Sequence, residues 1–415
     1  MVFDSAGRDV SYSMSSAITW PGSATAVSES SSAVGLLRVA WFYDLDGCRC
    51  PTGVTRHALA QREMLLANPT VRLLSVTGRI SVEEGRQAWS AWGNQARLQL
   101  PLATRQMIRF WRLCGVPRID WWTGLTDWVY CPAEYFVPTA RARLAVTSHD
   151  MLQDLTYGGG RRRALLARIF DRADLIASVS HFNSDQLLNA FPGCEGRVVH
   201  VPNAADDLFL EPASDAERVQ IRAELGLEPS VRFLLSVANF QPRKNLDRLI
   251  RAAARVPEVA SGAMALVLVG DGSAGEVARL DEVISKLPSG VRVIRPGYLQ
   301  GVALRAAYAE AQALVFPSTC ESFGIPAVEA MAQGCPVVLA NSTALPEISG
   351  PAGWYLEPTS EDSITATLSE LIAQPVETAR RVEVGRLRAA SYRWQQSSER
   401  LVEAMRARSN TPRRG

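Results

Sequence analysis

Glu321 and Glu329 stand eight positions apart in the segment Phe316-Pro317-Ser318-Thr319-Cys320-Glu321-Ser322-Phe323-Gly324-Ile325-Pro326-Ala327-Val328-Glu329. Upstream lie two adjacent cations, Arg243 and Lys244, and further upstream the pair His149-Asp150. A carboxylate can accept hydrogen bonds from two neighbouring hydroxyls, as on a ribose, while a second carboxylate reaches what lies beyond the phosphates. Adjacent Arg and Lys can grip a diphosphate, the Arg bidentately and the Lys as a point charge. A neutral histidine can donate to a substrate hydroxyl or stabilise developing charge. Each group also has a plain reading: Glu329 as a helix-start acid favoured by the dipole, Arg243-Lys244 as a solvated turn, His149 as a packed loop residue.

The surrounding patterns place these groups on strand ends. The apolar run Ala313-Leu314-Val315-Phe316 reads as a buried strand that stops at Pro317, followed by a loop and a helix with Pro326 in its first turn that closes before Gly334. Free backbone N–H groups at that helix start suit phosphate, and Gly324, lacking Cβ, lets a ligand approach. Asn239 to Asn245 follows the strand Arg232 to Val237 and precedes a helix from Leu246 to Ala254, so Arg243 and Lys244 occupy a strand-to-helix loop. Leu144 to Ser148 reads as a strand delivering His149 at its carboxyl end, where open parallel sheets bind ligands. Leu36 to Tyr43 reads as a first buried strand, with a loop from Asp44 to Val54 and a helix through Thr55 to Ala60, which places Gly53 where backbone can meet phosphate or sugar. Strands at Asp174–Ser180 and Arg197–Asn203 close this first series, a polar linker follows Asn203, and a second series begins at Arg232. The expectation is an α/β chain of two Rossmann-like domains facing each other across a cleft.

Composition narrows the class. The 415 residues are 47% apolar and 21% charged with a net charge of +2, which is globular and gives no electrostatic footprint for nucleic acid. Seven cysteines, with Cys48-Arg49-Cys50 too tight for a zinc knuckle, read as reduced thiols. The Ser-rich residues 1–34 lack a basic segment followed by an apolar one, so a disordered extension is expected rather than a secretory signal, and no run is long enough to span a membrane. The expected place is the cytoplasm, with peripheral contact at the inner face of a membrane left open.

Other motifs rank lower. Asp44-Leu45-Asp46 has the DxD form of metal-dependent sugar transferases, but acids after a first strand are often turn formers. Trp89, Trp92, Trp111, Trp121, Trp122 and Trp128 read as packing before sugar stacking or lipid contact. Gly158 to Arg163 reads as a solvated basic helix start. Gly270 to Gly275 fits GxGxxG, yet the next strand, Val291 to Ile294, ends in Arg295-Pro296 rather than an acid, which argues against a dinucleotide site.

Together the segment Phe316 to Val338 resembles the Glu-x7-Glu signature of retaining family 4 glycosyltransferases of the GT-B fold. The similarity runs in order through Thr52-Gly53-Val54-Thr55-Arg56, Ser148-His149-Asp150, Val201-Pro202-Asn203, Pro242-Arg243-Lys244-Asn245, Gly270-Asp271-Gly272, Pro296-Gly297-Tyr298 and Leu345-Pro346-Glu347, about residues 36 to 400. The resemblance implies an acceptor domain over 35–205, a nucleotide-sugar donor domain over 206–390, and a C-terminal helix with tail over 391–415 that returns to the first domain. It implies that Glu329 binds ribose, that Arg243 and Lys244 hold the diphosphate, and that Glu321, Ser322, Phe323, Gly324 and Ile325 contact the donor. His149 donates from the opposite domain, Gly53 and Asn239 lie by the phosphates, and Tyr298 and Leu299 near the base. No metal is implied. The co-substrate is a nucleoside diphosphate sugar, with GDP-mannose suggested by the Pro-Arg-Lys-Asn and Ser-His-Asp forms, and the acceptor a glycan, lipid-linked sugar or small polyol in polysaccharide or glycoconjugate assembly. Asn239 and Ala204 stand where relatives often have glycine. A phosphorylase or synthase on the same scaffold and a catalytically silent sugar-nucleotide binder are the alternatives.

Overall fold

The computed structural model describes residues 35–46 and 52–412. The expectations for 1–34, for Cys48 and Cys50, and for part of the first loop lie outside the described residues. The first sheet contains β1 (Leu37–Phe42), β2 (Val71–Thr77), β3 (Arg97–Gln99), β4 (Trp128–Cys131), β5 (Arg143–Ser148), β6 (Leu175–Ser178) and β7 (Val198–His200), in spatial order β3-β2-β1-β4-β5-β6-β7. The second contains β8 (Arg232–Val237), β9 (Met264–Val269), β10 (Val293–Gly297), β11 (Ala313–Phe316), β12 (Val337–Ala340) and β13 (Gly353–Leu356), in order β10-β9-β8-β11-β12-β13.

Every pairing is parallel; Val39 lies opposite Leu73 and Trp128, and Leu234 opposite Leu266 and Ala313. Helices cover both faces of such sheets, which is why MALVLV in β9 is apolar throughout and wholly buried. Strand order reverses between β1 and β4 in one sheet and between β8 and β11 in the other, and the crevice outside the carboxyl ends at such a point is where ligands bind.

The tryptophans divide by position. Trp111 and Trp128 are fully buried and Trp92 nearly so, packing against β1 and its neighbours, whereas Trp121 is 60% exposed. The last helix, Trp394–Ser409, extends at both ends beyond the amphipathic stretch Ser397 to Arg406 that the sequence suggests. It buries Leu401, Val402 and Met405 among Val39, Trp41 and Leu65 of the first domain. Ser409 Oγ accepts from Trp128 Nε1 at 2.9 Å, and Arg408 bonds to the Gly196 carbonyl. Residues 408 and 409, expected from the sequence to belong to a disordered tail from 408 onward, are the last two residues of this helix.

The four histidines form two touching pairs, His57 with His149 (ring centroids 4.8 Å apart) and His181 with His200 (4.1 Å). His57 is fully buried; its Nδ1 meets Asn203 Oδ1 at 2.8 Å and its Nε2 lies 3.1 Å from the Tyr130 hydroxyl. Burial, with His149 beside it, holds its pKa well below 6.5. Below pH ~6.5 the unfolded chain takes a proton at this position that the native chain refuses, so stability falls as pH falls. Burial pushes the carboxyls of Glu134 and Glu329 upward, and these groups act in the opposite sense. The contribution of His57 is therefore read as a difference. In denaturant unfolding between pH 7 and 5, stability should fall less steeply for His57→Gln than for the parent chain.

Candidate active site

The carboxyl ends of β8 and β11 face those of β1 and β5 across a cleft with a cavity of about 650 Å³. All the residues singled out by sequence line it: Gly53 and His149 from the first domain, and Asn239, Arg243, Lys244, Tyr298, Leu299, Glu321, Ser322, Phe323, Gly324, Ile325 and Glu329 from the second.

After β8, Pro242–Lys244 forms a single 3-10 turn closed by Asn245 in the left-handed region (φ 60°). The Asn245 side chain donates to the carbonyls of Pro317 (3.1 Å) and Pro358 (2.7 Å), and Thr319 N donates to the Arg243 carbonyl at 2.8 Å. Asn245 thus fastens the cationic loop to the glutamate loop and leaves Arg243 and Lys244 facing the cleft. Arg243 Nη1 donates to the Cys320 carbonyl at 3.0 Å and lies 3.4 Å from Glu321 Oε1, to which the Lys244 ammonium also bonds. Burial lowers the Lys244 pKa, while Glu321 acts to raise it.

Gly324, at φ 95°, precedes the helix Ile325–Ala332. That backbone conformation favours glycine, and a Cβ there would lie 2.7 Å from Leu345 Cδ2, so the end of the leucine side chain would have to move. Gly53 differs: it has no such φ, and a Cβ would only touch Ile325 across the cleft at 3.6 Å. Its backbone is the first turn of the helix Gly53–Ala67, capped by Thr52.

Glu329 is fully buried and accepts from the Tyr308 hydroxyl at 2.9 Å and from Arg56 of the first domain. Arg56 also donates to Asp206 at 2.8 Å, whose second oxygen accepts from Trp394 Nε1 at 3.1 Å. Burial raises the Glu329 pKa and the guanidinium opposes that rise, as a buried carboxylate requires. Arg56, Asp206 and Tyr308 carried no role in the sequence reading. A helix glutamate on a buried face signals a missing cation, but the chain offers 44 lysines and arginines.

His149 is buried at the end of β5, its N–H bonded to Glu134 at 2.8 Å and its Nε2 2.8 Å from the Pro132 carbonyl. A carbonyl only accepts, so Nε2 carries the proton. The neutral ring then presents Nδ1 as an acceptor, and a second donation requires imidazolium or a turned ring. This corrects the expectation that neutral His149 simply donates into the cleft.

Among the described residues, three that line the cleft have a side-chain oxygen buried without a hydrogen-bond partner: Gln153 Oε1, Asn239 Oδ1 and Ser322 Oγ. Such groups are uncommon in native proteins, and a bound polar ligand would satisfy them. Of the DxD pair, Asp46 accepts from Ser81 N (2.9 Å) and Ser81 Oγ (2.6 Å). Gly159 and Gly160 open the helix Gly159–Arg172, where Arg162 pairs with Asp154 at 2.6 Å. Ser273 caps the helix Ala274–Ser285, and Gly270 lines the cleft.

Residues 217–387 match the family model described as glycosyl transferases group 1. An O-antigen chain mannosyltransferase B from Escherichia coli is 28% identical over 329 residues, covering 75% of this chain and 83% of that protein. A GDP-mannose-dependent alpha-(1-6)-phosphatidylinositol monomannoside mannosyltransferase from Mycolicibacterium smegmatis is 31% identical over 261 residues, covering 59% of this chain and 65% of that one. Among solved structures, Anabaena HepE in complex with UDP and glucose superposes with a TM-score of 0.72 at 18% identity, covering 89% of this chain and all of the other, a likeness of fold. The chain is built on the GT-B fold, and its second domain, over residues 217–387, resembles the group 1 glycosyl transferases.

Proposed function

We propose that this enzyme transfers a hexosyl group, mannose from GDP-mannose, to a hydroxyl acceptor with retention at the anomeric carbon, in polysaccharide or glycoconjugate assembly. The observation that carries the reading is the pairing of two of the cleft carboxylates with cations of the protein: Glu321 with Lys244 and Arg243, Glu329 with Arg56. A nucleoside diphosphate sugar supplies both exchanges at once. Its diphosphate takes Arg243 and Lys244 and frees Glu321 for sugar hydroxyls, and its ribose hydroxyls donate to Glu329.

In this scheme the bond from the anomeric carbon to the phosphate oxygen breaks, and a bond to the acceptor oxygen forms on the same face. The acceptor proton passes to the leaving phosphate oxygen, and Arg243 and Lys244 neutralise the released charge. The E. coli and M. smegmatis relatives bear mannosyltransferase names, which supports the choice of sugar, and the second name specifies GDP-mannose. The acceptor, a glycan, lipid-linked sugar or small polyol, belongs to the first domain. No helix among the described residues is long and apolar enough to cross a membrane. Peripheral contact would use the helix Thr104–Cys114, where Phe110 and Leu113 are exposed along with Arg105 and Arg109.

A thermal-shift panel of UDP-, GDP- and ADP-sugars tests the reading, because a ligand of the native state raises the unfolding temperature by mass action. GDP-mannose should give the largest shift, and no shift with any member would remove the donor assignment. Transfer should survive EDTA, since Arg243 and Lys244 supply the charge at the diphosphate. Loss of activity restored by manganese would instead point to metal-assisted transfer.

A further inference from the structure

Away from the cleft, the second histidine pair meets a carboxylate from the other domain. His181 opens the helix His181–Ala190, His200 ends β7 and Glu347 lies in the short helix Leu345–Ser349. One ligand atom from each lies within 4.8 Å of the others. The Glu347 carboxylate is already oriented, accepting from His181 N and Phe182 N at 2.8 Å each, and each oxygen keeps a further lone pair. His200 Nε2 is buried and has no hydrogen-bond partner among the described residues, an orphan that ordinary packing leaves unexplained.

We propose that His181, His200 and Glu347 form a binding site for a divalent transition cation, zinc above all, that ties the two domains together beside the start of the linker that follows Asn203. The donor set decides the class. Two imidazoles and a carboxylate suit zinc, with a water completing four-coordination, whereas magnesium and calcium take oxygen ligands. Zinc holds such atoms at about 2.0–2.2 Å, so the three must draw closer than they now stand. His181 is exposed and its ring can swing, while the Glu347 carboxylate is fixed by the helix amides as ligands commonly are by their outer contacts. The site is separate from the sugar-transfer groups, so its occupation bears on the domain junction rather than on the diphosphate.

Isothermal titration of the full chain with zinc chloride, in a Cys114→Ser background that removes an exposed thiol, tests the site. One equivalent should bind, magnesium should give no heat, and His181→Ala and His200→Ala should each weaken zinc binding at least about tenfold. His181 lies on the surface, so its variant reports on ligation even if the His200 variant fails to fold, with circular dichroism as the check. Absence of zinc binding, equal binding of magnesium, or undiminished affinity in His181→Ala would overturn the proposal.

Discussion

Replacing Arg243 and Lys244 together by alanine should lower kcat by about two to three orders of magnitude, the effect of removing charge stabilisation from a leaving group in a water-poor site. The backbone that carries both side chains is fixed by the bonds of Asn245 to Pro317 and Pro358, so a diphosphate bound there would have to displace only their side-chain contacts with Glu321 and the Cys320 carbonyl. The loss should therefore appear in kcat as well as in donor affinity. The double variant also strands Glu321, which is 9% exposed and loses both of its cations. Adding Glu321→Gln should restore stability without restoring turnover, and steady-state kinetics beside urea unfolding separates the two. Near-normal turnover in the double variant would exclude the diphosphate role.

Glu329→Ala should act on binding and on folding. Loss of two charge-assisted hydrogen bonds to ribose hydroxyls corresponds to about 3 kcal/mol, or ~100-fold in nucleotide Kd by calorimetry. In the empty enzyme the same change leaves Arg56 with Asp206 alone, at a cost toward the lower end of the ~3–5 kcal/mol for breaking a buried pair. The combination Arg56→Met with Glu329→Met removes the uncompensated charge and should recover much of that stability, but not the nucleotide affinity. Unchanged nucleotide affinity in Glu329→Ala would remove the ribose assignment.

How much of this was legible beforehand follows from where the information lies in the chain. Parallel strands covered on both faces become continuous apolar runs, so β8, β9 and β11 can be read directly, and their carboxyl ends bring Asn239, Arg243, Glu321 and Gly324 to one place. The edge strand β3, Arg-Leu-Gln with exposed ends, carries no such run. β4, with its buried Trp128 and Tyr130, is hidden in a stretch rich in tryptophan. The partner of Glu329 stands 273 positions away on the other domain, and no local pattern specifies that pairing. The tautomer of His149 depends on the Pro132 carbonyl, a tertiary contact across 17 positions. Asn245, read as part of a cationic motif, turns out to be its anchor rather than a ligand group.

The relation between the empty and occupied cleft follows from the same contacts. Arg56 joins the first domain to Glu329, the carboxylate proposed to bind ribose, and Asp206 joins Arg56 to Trp394 at the start of the returning helix. A donor that takes Glu329 must therefore compete with a contact between domains, so donor binding and the domain junction are linked through one side chain.

The most direct measurement is a crystal structure of the enzyme with GDP-mannose or GDP. The ribose hydroxyls should lie on the Glu329 carboxylate, the diphosphate oxygens on Arg243 and Lys244, and the Lys244–Glu321 contact should be broken. A nucleotide bound elsewhere, or bound in this cleft with the Glu329 and Lys244 pairs both intact, would contradict the account.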